Sequence, residues 1–556
     1  MKFLKKIAFI QYSSIIVLSI LILLACKHIS KEEQNQLAVG YLSTADTLLK
    51  KGEIEKAIEK IDEAINLNPD NVDAYIFRGR VFVIRKEFDK AITDFNKAIS
   101  LKPDSDVAYT SRALLYIAFN QYENALNDLN KALAINDKNI EAYTYKGSIF
   151  LSQKDYPEAI KNFKKCIEIN SKNAEGYNNL GYAYFLQGKL DDALENYYKS
   201  IEIDHKYVKA YVNRAQLYVS QKRYDLAIKD YNSALEIEPK AFDFYFYRAN
   251  AYFKTNKLDK ALSDLSKTIE INPDFTPAYS LRGLLYYQLN QPDKAVSDFD
   301  KSISKNGNDS YTYFLRGLVY FYRKNNYEKA LSDYNKALEL NPNQSNVYRE
   351  RGRLYYTKKK YEEALADFSK AISLNPKNAE SFYQRAQLYF YQFNDYEKAL
   401  ADYNKALELN PKGDNIYENR GWLYYKKNEP EKAISDLNNA IKLNPNDDNV
   451  YYKLGKVYFY ALKDSEKALA NYNKALEINP KGENIYLERG WLYFKEGKKE
   501  EALDDYNKAI SLYPKHAGAY NNRGVLYESI NQVDKAIADY SRAIEFNPKF
   551  IRPLLN

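Results

Sequence analysis

Residues Glu328 to Pro342 read EKALSDYNKALELNP, and residues Glu397 to Pro411 read EKALADYNKALELNP. Close variants stand at Lys90 to Pro103, Lys467 to Pro480 and Glu500 to Pro514. A phrase that returns at a fixed distance decides the fold before any local propensity does. Aligning on the alanine that opens it gives Ala57, Ala91, Ala125, Ala159, Ala193, Ala227, Ala261 and Ala295, in steps of 34. The series continues through Ala330, Ala364, Ala399, Ala433, Ala468, Ala502 and Ala536, in steps of 34 or 35. Fifteen units fill residues 38–550 without a gap.

Working outward from that alanine, each unit carries the same marks. Tyr or Phe stands at repeat position four (Tyr75, Tyr109, Tyr143, Phe382, Tyr520) and a small residue at eight (Gly79, Ala113, Gly147, Gly317, Gly524). An aromatic usually follows at eleven, alanine at twenty, a large apolar residue at twenty-four and a small one at twenty-seven. Proline often closes the unit at thirty-two, as at Pro69, Pro103 and Pro342. Apolar residues spaced by three and four define two amphipathic helices per unit. The small residues let helix backbones approach, the aromatics fill the space around them, and the proline blocks continuation of the second helix. One such unit cannot bury both faces alone, so the units must stack into an all-α solenoid.

The pattern resembles the tetratricopeptide repeat over residues 38–550. That resemblance implies antiparallel helix pairs wound into a right-handed superhelix, whose first helices line a concave groove that binds peptides or segments of other proteins. A chaperone-docking version of the fold grips a C-terminal carboxylate with Lys and Asn on one repeat, Asn on the next, and Lys and Arg on a third. Asn179 and Asn213 match single positions, with Lys209 nearby, but Thr144 and Ser148 stand where Lys and Asn are needed. The clamp is incomplete, so docking of that kind is not expected.

Of the 55 tyrosines most fall at positions four, eleven, seventeen and twenty-four, which are helix-packing positions. Position twelve is different, because in the resembling family it tends to face the groove. It reads Phe253, Tyr287, Phe321, Tyr356, Phe390, Tyr425, Phe459 and Phe494 through repeats seven to fourteen, the last six of them in the C-terminal half. The only two tryptophans, Trp422 and Trp491, stand at position nine, three residues earlier on the same helical face. Tyr383 and Tyr452 stand at position five, four residues earlier again. The ten of these in the C-terminal half form a candidate aromatic stripe for partner binding, or else additional core between neighbouring first helices. Both readings stand, because aromatics dominate cores and interface hot spots alike.

A second layer of repetition sets residues 310–516 apart from the strict 34-residue period of residues 38–309. Repeats nine, eleven and thirteen each hold one extra residue between the position-eight small residue and the helix-two alanine. Each carries a Tyr-Phe-Tyr triplet there: Tyr320-Phe321-Tyr322, Tyr389-Phe390-Tyr391 and Tyr458-Phe459-Tyr460. The period of this half is therefore 69 residues, a pair of repeats, and the extra residue is expected to lengthen the turn or bulge the first helix. Residues 517–550 form the fifteenth unit and 551–556 a tail. That tail contains Pro553 among apolar residues. It is expected to fold over the last helix, or to leave that face for self-association.

The formal charge is +8, from 82 Lys+Arg against 74 Asp+Glu, a mixed surface too weakly basic for nucleic acid as the main ligand. Two cysteines and three scattered histidines supply neither a disulfide framework nor a metal site. Cys166 occupies the small position twenty-seven and is expected to be a buried core thiol; His205 and His516 fall in turns between repeats. No Ser–His–Asp arrangement or phosphate-cradling glycine loop interrupts the repeat grammar. The sequence predicts a non-enzymatic protein without cofactor or metal.

Residues 1–25 read as an export signal: Lys2, Lys5 and Lys6, then the apolar run IIVLSILILLA at 15–25. Eleven residues have the length of a signal core and fall short of the roughly 20 needed to span a bilayer. The run ends in Leu23-Leu24-Ala25-Cys26, which resembles the lipobox of bacterial lipoproteins, with Leu24 where a small residue is commoner. The resemblance implies cleavage before Cys26, lipidation of its thiol and attachment to a membrane of the bacterial cell envelope; an uncleaved signal anchor is the alternative. Residues 26–37 are expected to form a short polar tether. The functional expectation is a membrane-tethered scaffold binding proteins or peptides in the repeat groove. The alternative is a structural spacer or assembly element of the envelope with no specific groove ligand.

Overall fold

The computed structural model describes residues 30–548, and every regular element among them is helical. The signal segment, Cys26 and the tail at 551–556 lie outside the described residues. The chain divides into two compact units, one ending at Ala278 and one beginning at Tyr279. Within each, the repeat is a hairpin of antiparallel helices, such as Val72–Ile84 followed by Phe88–Leu101 in the first unit and Ser345–Thr357 followed by Tyr361–Leu374 in the second.

The hairpin turn is set by one backbone angle. Each of the fifteen units has a left-handed residue there, Gly52, Lys86, Asn120 and Lys154 in the first four, with φ between 50° and 85° along the chain. Glycine and asparagine reach that region at least cost, which explains their frequency at the position. The next backbone N–H then turns back to the helix, as Glu87 N donates to Phe82 O at 2.8 Å. Between several units an asparagine or aspartate starts the next helix: the side chains of Asn71, Asn139 and Asn173 each accept from the N–H three residues on, while Gly413 and Gly482 start theirs without a side-chain cap. This satisfies donors that a helix N-terminus leaves without partners.

Close approach inside the hairpin rests on position eight. A methyl group at Gly79 would lie 2.6 Å from the Phe95 ring, and one at Gly147 would lie 2.5 Å from Phe163. The ring at position twenty-four therefore sits directly on backbone. The small residues expected to permit packing do so, and the position-twenty alanines such as Ala57, Ala330 and Ala399 are fully buried. Cys166 is buried as expected, its Sγ 3.5 Å from Thr144 Oγ1, and burial pushes its thiol pKa up.

Polar residues make a second fastening. In eleven repeats an arginine at position seven grips an aspartate at position twenty-three of the same repeat through Nε and Nη2, as Arg351 grips Asp367 at 2.7 Å and 2.7 Å. In many of them the remaining nitrogen reaches position twenty-five of the preceding repeat, as Arg351 Nη1 to Asn335 Oδ1 at 2.7 Å and Arg420 Nη1 to Asn404 Oδ1 at 2.6 Å. One side chain thus ties two helices of its own repeat to the repeat before it. The four repeats without the arginine also lack the aspartate: Thr44 with Lys60, Lys146 with Asn162, Leu180 with Asn196, and Leu454 with Asn471. The two positions change together, as a buried pair should, since either charge alone would be stranded.

One feature differs from the sequence reading. The tether expected at 26–37 is helical from Lys31, because Ser30 and Glu33 form a reciprocal capping box that starts the helix Lys31–Lys50 there. Of the two places expected for the extra residue, repeats nine and eleven use the turn, their first helices keeping thirteen residues in Ser310–Tyr322 and Ala379–Tyr391, and repeat thirteen bulges the first helix. Asn326, Asp395 and Asp464 donate to the carbonyls of Tyr320, Tyr389 and Tyr458, six residues back where Glu87 reaches five. The last turn widens to match, with bonds from Lys324 N to Val319 O, Phe393 N to Leu388 O and Leu462 N to Val457 O. In repeat thirteen the widening is a π-helix, Val457–Ala461.

Candidate protein-interaction face

Positions five, nine, twelve and thirteen of a first helix share one face by helical spacing. In the second unit residues of this face reach the neighbouring first helix, at its positions two and six. Arg353 Nη2 contacts Glu380 Oε1 at 3.1 Å, Lys453 Nζ contacts Glu418 Oε1 at 2.7 Å, and Lys456 Nζ contacts Glu488 Oε1 at 3.0 Å. With Tyr391 donating to Asn419 Oδ1 between repeats eleven and twelve, the wall is continuous through repeats ten to fourteen and carries both aromatic and charged groups.

The ten candidate residues divide along it. Phe321 (8% exposed), Tyr383 (7%) and Phe390 (4%) are buried in the hydrophobic cores of repeats nine and eleven. For these three the structure gives the core placement, because each ring is packed among residues of its own hairpin: Phe321 against Tyr327, and Phe390 against Tyr396. Tyr356, Trp422, Tyr425, Tyr452, Phe459, Trp491 and Phe494 are half-buried. Burial lifts the hydroxyl pKa of Tyr425 and Tyr452 above the usual tyrosine range.

The two tryptophans build the same element twice. Trp422 stacks on Tyr425 with ring centres 4.8 Å apart, and Trp491 stacks on Phe494 at 5.4 Å, with interplanar angles of 30° and 26°. Lys426 stands over Trp422 at 5.4 Å, and Lys495 stands over Trp491 at 4.6 Å. Lys453 and Lys456 of the next repeat also approach Trp422, at 5.7 Å and 6.0 Å. A position-nine indole against a position-twelve ring, with a lysine four residues on, therefore recurs after 69 residues. The acids of this wall are already paired within the protein, whereas Lys426 and Lys495 are exposed.

Reading by apolar period passed over one set of residues here. Tyr322, Tyr391 and Tyr460, at position thirteen of the three long repeats, donate to Glu350 Oε2 (2.6 Å), Asn419 Oδ1 (2.9 Å) and Glu488 Oε2 (2.7 Å), all at position six of the following repeat. Glu350 is buried, and Arg349 donates to it at 2.9 Å. Desolvation is the first cause that pushes the hydroxyl pKa of Tyr391 up to about 12, and it raises Tyr322 and Tyr460 further. The available signal was that position thirteen is tyrosine only in the long repeats.

The two turn histidines do structural work or none that geometry reveals. His516 caps the helix Ala517–Ser529, its Nδ1 accepting from Ala519 N at 3.3 Å, and burial lowers its pKa. Among the described residues no group of His, Cys, Asp and Glu is arranged to hold a metal ion, and no helix is long and apolar enough to cross a membrane.

Family profiles described as tetratricopeptide or TPR repeats match residues 42–106, 107–139, 147–188, 172–240, 242–275, 276–308, a continuous run over 321–497, 484–516 and 517–550. No curated relative matches the sequence. Among solved structures, YrrB, described as a TPR protein with an unusual peptide-binding site, is 26% identical over 35% of this chain and 99% of its own, with a TM-score of 0.31. A tetratricopeptide repeat protein from Parabacteroides merdae is 24% identical over 45% of this chain and 98% of its own, at 0.37. The APC/C hetero-tetramer Cut9-Hcn1 gives 15% identity over 92% and 97%, at 0.44.

Proposed function

Because the chain belongs to the tetratricopeptide-repeat family, we propose that it is a non-enzymatic scaffold that holds other proteins or peptide segments on the first-helix face of repeats eleven to fourteen. We further propose that lipid on Cys26 tethers it to a membrane of the bacterial cell envelope. The observation that carries the binding site is the doubled element, Trp422 on Tyr425 and Trp491 on Phe494, half-buried and each topped by an exposed lysine. Aromatic anchors beside cations are what interface hot spots are made of, and packing alone does not require an indole at both places.

Crosslinking of the intact protein in cells, against a chain shortened at Asp309, tests the site. Partners captured by the whole chain and lost from the short one support it. Trp422→Ala and Trp491→Ala should weaken capture by about 2 kcal/mol or more each while leaving melting nearly unchanged. If the indoles are core, the same changes cost about 3–5 kcal/mol of stability instead. Iodide should quench both tryptophans; full protection with blue-shifted emission would move the reading to a spacer without a groove ligand. The tether is tested by Cys26→Ala, which should release the protein from membranes or leave an uncleaved precursor. Unchanged mass and membrane fractionation would remove that part of the proposal alone.

A further inference from the structure

The long repeats differ from the others in two respects that occur together. Each has one residue added at the end of the first helix or in the turn after it, which widens the last turn of that helix, and each carries there a tyrosine whose hydroxyl crosses to the following repeat. No 34-residue repeat has a tyrosine at position thirteen; the residues there are Lys50, Ile84, Ala118, Ser152, Leu186, Ser220, Lys254, Gln288, Thr357, Lys426, Lys495 and Ser529. An added residue in a helical turn rotates the side chains of that turn about the axis, since each residue of a regular helix advances by about 100°. The hydroxyl meets an acceptor at position six in all three cases, Glu350, Asn419 and Glu488.

The joints of the other parity lack the tyrosine. Between repeats ten and eleven Arg353 pairs with Glu380, and between twelve and thirteen Lys453 pairs with Glu418. Repeat thirteen also lacks the position-seven arginine, since Leu454 stands there, so the joint from twelve to thirteen has no arginine staple reaching back. Ion pairs cross joints of both kinds, as Lys456 to Glu488 within a pair; what alternates is the tyrosine hydroxyl bond to position six, with Thr357 and Lys426 at position thirteen of repeats ten and twelve.

We infer that the added residue is a register device that locks repeats nine with ten, eleven with twelve, and thirteen with fourteen, making the cooperative unit of this half a two-repeat module. The aromatic element at positions nine and twelve, Trp422 with Tyr425 and Trp491 with Phe494, then sits on the second member of its module, where the lock from the first member holds it. Module identity depends on the tyrosine and the added residue jointly, and neither is expected to act without the other.

Hydrogen exchange of the full-length protein, read by mass spectrometry on individual helices, tests this. Tyr460→Phe keeps the ring and removes only the bond to Glu488, which retains Lys456. It should speed exchange in Glu483–Lys495 about three- to tenfold, the range of one hydrogen bond, and leave Asp414–Lys426 unchanged. Deleting Leu462, an exposed residue of the long turn, should produce the same local loss. Adding Tyr460→Phe to that deletion should then change nothing more. A full effect of Tyr460→Phe in the deletion background overturns the proposal, and so does no effect in the native background. If the deletion unfolds repeat thirteen, Tyr391→Phe serves instead: acceleration confined to Asp414–Lys426 supports the module, and acceleration spread evenly over the second unit rejects it.

Discussion

Arg351 shows how one residue can hold three helices. Two of its nitrogens close on Asp367, the third takes Asn335 from the preceding repeat, and the carboxylate is almost wholly buried. Burial pushes the Asp367 carboxyl above the usual range despite the guanidinium beside it, and the same holds for Asp230, Asp333 and Asp505. The sign follows: a carboxyl with a raised folded-state pKa takes up protons more readily folded than unfolded. These four therefore make stability fall as pH rises through that window, and they do not drive unfolding in acid. Breaking the pair is another matter, because it strands a charge. Arg351→Leu or Asp367→Asn alone should cost about 3–5 kcal/mol locally, while the double change, which copies Leu454 with Asn471 of repeat thirteen, should recover most of it. Urea unfolding of the four chains measures this, and additive losses would refute the coupling. Hydrophobic period could not find the pair, since both positions are polar; their joint replacement in four repeats could have. The core rings, by contrast, were legible because Tyr and Phe recur at fixed positions whose burial the helix period dictates.

At the scale of the element, the hairpin turn is the least tolerant point. Gly188 has φ 85°, so Gly188→Ala should destabilise repeat five by about 1 kcal/mol. Lys359 stands at the equivalent point with φ 58°, and Lys359→Gly should be neutral or stabilise by up to about 1 kcal/mol. Opposite signs at equivalent positions in thermal melts would establish that the angle, and not the side chain, governs the turn; a loss at both would deny it. The two helices of each hairpin were legible in the sequence, and so was the presence of an added residue in three repeats. Its place was not, because periodicity counts residues between two marks without saying which hydrogen bond stretches. The first helix likewise starts seven residues before the repeat register does, since the Ser30–Glu33 box lies outside the repeated pattern. For the stripe, spacing put ten residues on one face but could not tell depth: Phe321 and Phe390 pack into the core against Tyr327 and Tyr396, while Phe459 at the same position of the third long repeat stays half-buried.

For the molecule as a whole, repeats that touch chiefly their neighbours make stability a sum of unit and joint terms. A chain ending after Asn378, at the close of repeat ten, should stay soluble and keep helical circular dichroism in proportion to its length; complete loss of helix would contradict additivity. A cut inside a repeat exposes an apolar helix face and should aggregate in the ultracentrifuge. The back-reaching arginine and the crossing tyrosine also bear on how such a gene can change. Residues 345–413 could be lost by replication slippage between the near-identical stretches, in frame and without a scar. Arg420 would then meet Asn335 in place of Asn404, and Tyr322 would meet Asn419 in place of Glu350, so both the arginine and the tyrosine still find an acceptor. Lineages carrying this gene should accordingly differ by whole 69-residue cassettes, and length itself becomes a heritable trait that selection can tune one cassette at a time.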